Sequence, residues 1–160
     1  YCLWRKIILN LRKSYFCPSH LDWMRKNPVA NMDVWSSALE TGKVFLDSSE
    51  TSQAEQYLRS AVEAGHIYCN GSHRLTKANI QMFFDTLSQL TKCLNLQHQF
   101  KELNEVLCYG IDQFGYFVTR GIDRKIICKS YERLMEHQIS KELIDNDRPH
   151  FTRPENSLLH

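Results

Sequence analysis

No hydrophobic run in this 160-residue sequence exceeds a few residues, so nothing approaches the roughly 20 apolar residues of a membrane-spanning helix. The start supplies no signal peptide either, because residues 1–10 are few and are interrupted by Arg5 and Lys6. Net charge is small, +2 at pH 7, so the chain as a whole gives no electrostatic argument for nucleic acid or a membrane surface. Signatures of catalysis are scarce. No Gly-x-Ser-x-Gly elbow occurs. Thr41-Gly42-Lys43 lacks the earlier glycine of a phosphate-binding loop and falls inside a predicted helix, where its amides are already used. Glu102 and Glu105 share one helical turn and read as a solvated face. The sequence therefore gives no support for an enzyme, a cofactor or a small-molecule substrate.

What is present is ordinary globular composition, with 42% apolar and 24% charged residues, which excludes disorder and fibrous repeats and fits about one domain. The chain opens on Tyr1 rather than Met and reads as a domain of a larger protein. Residues 1–144 are expected to form one α-helical domain. Residues 145–160, with Pro149 and Pro154 and little periodicity, read as an extended tail. Six cysteines would make three disulfides in a secreted chain, but Cys93, Cys108 and Cys128 fall among apolar residues of helical segments, where a thiol acts as a small hydrophobe. The reading is a reduced, intracellular protein of the nucleus or cytoplasm. Asn70-Gly71-Ser72 fits a glycosylation acceptor but reads first as a turn.

Periodicity is helical almost throughout. Leu3, Ile7, Ile8 and Leu11 make an amphipathic helix over 2–15 that Pro18 ends, and Ser19 caps a short helix over 19–27. Asp33 opens the next, carrying Trp35, Ala38, Leu39, Gly42, Phe45 and Leu46. A second helix runs from about residue 50 to Gly65, whose missing Cβ suits a C-terminal cap. Ile67-Tyr68-Cys69 and Arg74-Leu75 flank Asn70-Gly71, so a small β-hairpin near 67–75 competes with a plain loop. Thr76 starts a long helix to Leu94, residues 95–98 break it, and another follows from Phe100 to Gly115. A last helix spans about 123–139. The expected fold is all-α, an irregular helical-repeat or helical-bundle domain of about six helices. Its core should hold Trp35, Leu39, Phe45, Leu58, Val62, Phe83, Leu87, Leu103, Leu107, Ile127 and Leu134. A winged helix, with 50–64 as recognition helix and the hairpin as wing, is the alternative.

Within 35–68, Gly42, Phe45, Ala54, Leu58 and Ala61 take the small, aromatic, small, large and small positions of a helical hairpin. This segment resembles one tetratricopeptide-type unit, whose small residues let two helices approach while the large ones fill the groove. Ala38, Thr41 and His66 depart from the pattern, and one repeat later Thr76 and Asn79 stand where the small and aromatic residues belong. The resemblance implies a scaffold for protein–protein contact.

Two surfaces carry the binding expectation. Residues 1–26 hold six basic side chains against one acidic, whereas the remaining 134 hold 14 basic against 17 acidic. Arg5, Lys6, Arg12 and Lys13 stand there among Trp4, Tyr15 and Phe16, a mixture that neutralises phosphate and stacks on bases, or rims an apolar helix for a partner groove. Arg124, Lys125 and Lys129 make a second basic set. A non-catalytic adaptor, acting as one subunit of a hetero-complex, is the leading reading, and RNA or DNA binding the alternative. Cys17, His20, His66, Cys69 and His73 have short metal-like spacings, but predicted helices separate the two clusters and no metal is expected.

Overall fold

The structure is a computed structural model, and it describes residues 14–71, 75–132 and 134–135. Among these residues there are six helices and no strand. In chain order they are α1 (Pro18–Lys26), α2 (Pro28–Asp47), α3 (Thr51–Gly71), α4 (Lys77–Leu96), α5 (Phe100–Thr119) and α6 (124–132, resumed at 134–135). No helix among the described residues is long and apolar enough to cross a membrane.

The chain is interrupted at Asn27-Pro28, where α1 ends at Lys26, while the helix expected over 2–15 falls, at 2–13, outside the described residues; both Pro18 and Pro28 also start a helix. Pro18 and Pro28 occupy the first turns of α1 and α2, where a missing N–H costs nothing and the fixed φ favours entry. Cys17 therefore holds the cap position assigned to Ser19, and α2 begins five residues before Asp33. Thr76 caps α4 as expected, in a capping box with Asn79: each side chain bonds the other's backbone N–H, at 3.2 and 2.9 Å. The predicted break at 95–98 is the α4–α5 turn.

Three joints repeat one geometry. Ser49, His98 and Gly121 adopt left-handed φ of 64°, 58° and 77°. Behind them the N–H groups of Glu50, Gln99 and Ile122 return to the carbonyls of Phe45, Leu94 and Phe117 at 2.9, 2.9 and 3.2 Å. These are Schellman caps, which satisfy the last carbonyls of a helix while reversing the chain. The α2–α3 and α4–α5 hairpins thus share helix length and turn, with 20, 21, 20 and 20 residues per helix. Their turns lie 49 residues apart, at Ser49 and His98.

Packing explains where the predicted turn fails. A Cβ at Gly65 would lie 2.7 Å from Trp35 Cε2, so this glycine serves the close approach of α3 to α2 rather than a cap. With the chain still helical there, Ile67 and Cys69 turn into the core and residues 67–71 complete α3. The hairpin near 67–75 is absent over those residues, and the winged-helix alternative falls with it. Positions 72–74 lie outside the described residues. Gly42 plays the same part higher up, its missing Cβ leaving room for Leu58. Ala54 and Ala61 are fully buried beside it. Of the expected core, Phe45 alone is only half-buried, lying against Tyr57 instead. Cys93 is buried, but Cys108 and Cys128 face solvent rather than the core.

The hairpins stack in sequence order, α4 on α3 and α5 on α4, while α1 lies against α2 and α3. Phe83, Phe84, Phe117 and Tyr109 form an edge-to-face ring cluster between the helices, which directs the aromatic quadrupoles favourably as well as burying area. α6 closes the far side through Tyr131 on Phe114 and Leu134 over Gly110. Asp123 caps it, its Oδ1 accepting from the Lys125 N–H at 2.9 Å.

Candidate functional site

Stacking in this order brings α3 and α5 within side-chain reach, and the hydrogen bonds across the seam between them fall at three points. Near the hairpin turns, Arg59 is only 8% exposed, and its Nε donates to Glu55 Oε1 at 2.7 Å. The second Glu55 oxygen accepts from Gln99 Nε2, at the start of α5, at 3.3 Å. Gln97 Nε2 ties the two turns together by donating to the Thr51 carbonyl at 2.8 Å. Half-way down, His66 Nδ1 stands 3.0 Å from the Tyr109 hydroxyl and 2.8 Å from Asn70 Nδ2. Burial, with Arg25 adding to it, pushes the imidazole down to about 3, so His66 is neutral. At the lower end Arg120 donates to the Cys69 carbonyl at 3.2 Å while its guanidinium lies 5.7 Å from the Tyr116 ring centroid.

Apolar side chains project beside the upper end of this seam. Phe100 is 51% and Leu96 55% exposed, and the Phe100 ring meets the His98 ring edge-on at 5.8 Å. Exposed aromatic and aliphatic side chains of this size are the groups that anchor a protein interface.

Ser14 and Tyr15 are held at the same helix. Ser14 Oγ and the Tyr15 N–H donate to the two carboxylate oxygens of Glu63, at 2.6 and 2.8 Å. Of the residues expected to bind a partner, Tyr15 is therefore fixed by its backbone with its ring part-exposed, and Phe16 packs against the core. Trp4, Arg5, Lys6, Arg12 and Lys13 lie outside the described residues. Arg124, Lys125 and Lys129 are all exposed on α6.

The metal-like spacings do not converge. Cys17 Sγ lies 3.2 Å from His20 Nδ1 and 3.0 Å from Ser19 Oγ, but Cys69 is buried and His66 is taken by Tyr109 and Asn70. Glu63 and His66 have the Glu-x-x-His spacing of helical carboxylate metal sites, yet Glu63 holds Ser14 and Tyr15. Among the described residues no group of three metal-ligating side chains forms, and His73 lies outside them. The chain matches no family model, no curated protein and no solved structure.

The seam was missed from sequence because its members are far apart in the chain. Glu55 and Arg59 at i, i+4 were a readable signal for an ion pair. Nothing in the sequence paired His66 with Tyr109 or Cys69 with Arg120.

Proposed function

We propose that the protein is a non-catalytic helical scaffold that binds another protein, as one subunit of a hetero-complex, across the α3–α5 seam. One observation carries this reading: two hairpins of equal build bring α3 and α5 within side-chain reach, and Phe100 and Leu96 are exposed beside the upper end of the seam. Stacked helical hairpins characteristically present such a face, and a partner would seat on Phe100 and Leu96. The tetratricopeptide-like residues of the first hairpin agree with that use. The test is affinity capture from nuclease-treated cell extract, comparing the wild type with Leu96→Ser/Phe100→Ser. A stoichiometric protein should survive nuclease and be lost by the double variant without a change in melting temperature. Capture that is indifferent to the double variant would remove this face from the reading.

A second reading has its own observation. Arg124, Lys125 and Lys129 are exposed on α6, and together with Arg5, Lys6, Arg12 and Lys13 they could neutralise phosphates of RNA or DNA. Loss of every captured partner on nuclease treatment, with binding that weakens steeply as salt rises, would favour it over the scaffold.

A further inference from the structure

The stretch ahead of α1 is held to α3 by a clasp that depends on one hydroxyl proton. Ser14 and Tyr15 lie outside any helix. Ser14 Oγ donates to Glu63 Oε1 at 2.6 Å, and the Tyr15 N–H donates to Oε2 at 2.8 Å. The same Ser14 oxygen stands 2.7 Å from the Phe16 carbonyl, so two acceptors share a single proton. Burial pushes the Tyr15 hydroxyl up, and the charges of Arg59, Glu55 and Glu63 act on it, so the clasp sets this side chain along α3. Phe16, next in the chain, packs against the core. Short charge-assisted hydrogen bonds are strong, but this pair fails once its hydroxyl donor becomes an acceptor.

Ser14 also stands where that conversion can happen. It is exposed, and in the sequence Arg12 and Lys13 directly precede it. Basic residues just before a hydroxyl are the charge pattern that an acid-lined kinase groove selects. An exposed acceptor outside a helix can enter such a groove once the clasp opens, without unfolding of the helices. Ser130 makes the contrast. It too follows a lysine, but it is buried within α6 with its Oγ on the Ile126 carbonyl at 2.9 Å.

We propose that Ser14 is the acceptor of a basophilic protein kinase and that its phosphorylation opens the clasp on Glu63. In the transfer, Ser14 Oγ attacks the γ-phosphorus of ATP; the new O–P bond forms as the bond to ADP breaks, and the hydroxyl proton passes to the kinase's own base. The product carries about −1.5 to −2 charge and offers acceptor oxygens in place of the donor, directly against the Glu63 carboxylate. Arg59 is engaged elsewhere, its Nε donating to Glu55 at 2.7 Å. Like-charge repulsion therefore drives Ser14 and Tyr15 off α3. The inference does not rest on the scaffold reading.

The test treats the full chain with Mg-ATP and two basophilic kinases, one of the cyclic-AMP-dependent class and one of the calcium- and lipid-dependent class. Mass spectrometry maps the phosphate and NMR follows amide exchange. Phosphate should enter at Ser14, and far more slowly in Arg12→Ala/Lys13→Ala. Exchange of the Tyr15 amide should then quicken by roughly tenfold or more, the factor that one charge-assisted hydrogen bond is worth, while exchange within α2 and α4 stays as it was. In Glu63→Lys the phosphate meets an ammonium instead of a carboxylate, so phosphorylation should slow the Tyr15 exchange. Failure of both kinases to modify Ser14 would overturn the proposal. So would a phosphorylated wild type whose Tyr15 amide is as protected as before, or more so, as it would be if Arg59 left Glu55 for the phosphate.

Discussion

Gly65→Ala puts the helix-packing argument to its most direct test, because a single methyl group meets an immovable neighbour. The new Cβ would lie 2.7 Å from Trp35 Cε2 and 2.9 Å from both Cζ2 and Nε1. Comfortable carbon contacts are at about 3.5–4.0 Å, so the indole or α3 must give by nearly an ångström. Trp35 has nowhere to go. It has no exposed surface, its Nε1 donates to Thr86 Oγ1 at 3.0 Å, and the Tyr68 and Phe83 rings stand 5.8 and 6.2 Å away.

Two opposing terms set the magnitude. Overpacking a tight core costs about 1–3 kcal/mol, whereas replacing a mid-helix glycine by alanine returns about 1 kcal/mol through backbone entropy. Relative to an unobstructed glycine-to-alanine change the loss is that full penalty of about 1–3 kcal/mol, and relative to the wild type it is up to about 2 kcal/mol, or up to roughly 8 °C in melting temperature for a chain of this size. Gly115→Ala is the internal control. A methyl group there would meet nothing within 4 Å, so it should gain about 0.5–1 kcal/mol from the entropy alone. Urea unfolding followed by helical circular dichroism measures both variants. If Gly65→Ala gains as much stability as Gly115→Ala, α2 and α3 do not approach as described.

Three further outcomes can be checked alongside. Gln113 is fully buried with neither amide atom partnered among the described residues, so Gln113→Leu should raise stability by about 1–3 kcal/mol; a loss of that size would mean the amide is bonded after all. The neutral His66 has a folded value of about 3 against its ordinary 6.5, so the unfolded chain takes up a proton that the fold refuses. Its contribution is complete above pH 6.5 and is lost as pH falls toward 3; between pH 6.5 and 5 the unfolding free energy should fall by up to about 1.4 kcal/mol per pH unit, and a His66→Gln variant that kept the full slope would refute the assignment. At Cys17 the Ser19 hydroxyl and His20 draw the thiol down to about 7, whereas burial pushes Cys69 and Cys93 up to about 12 and 11. Iodoacetamide at mildly alkaline pH should therefore alkylate Cys17 in the native protein and reach the other two only on unfolding, as peptide mapping would show.

The all-α architecture was legible because long apolar periodicities with a clear cap, such as Thr76 onward, leave few alternatives. The break before Phe100 was legible for the complementary reason, since residues 95–99 have no apolar stripe to bury. The errors sit at helix starts and at glycines. Pro18 and Pro28 interrupt the chain but also supply the first turn of the next helix, so Ser19 and Asp33, read as caps, lie inside α1 and α2.

Gly65 and Asn70-Gly71 show a deeper limit. A glycine that ends a helix and one that admits a tryptophan from a neighbouring helix look the same in one dimension, because the deciding atom belongs to Trp35, 30 positions away. Once Gly65 is taken as a cap, Asn70-Gly71 becomes a turn and a hairpin follows; once it is a packing contact, α3 continues and Ile67 and Cys69 reach the core. The same blindness hid the candidate site. Charge density along the sequence pointed to the basic N-terminal residues and to 124–129. The α3–α5 seam is built from pairs that quench one another, Glu55 with Arg59 and His66 with Tyr109, and the partners from the two hairpins meet only after the second has stacked on the first.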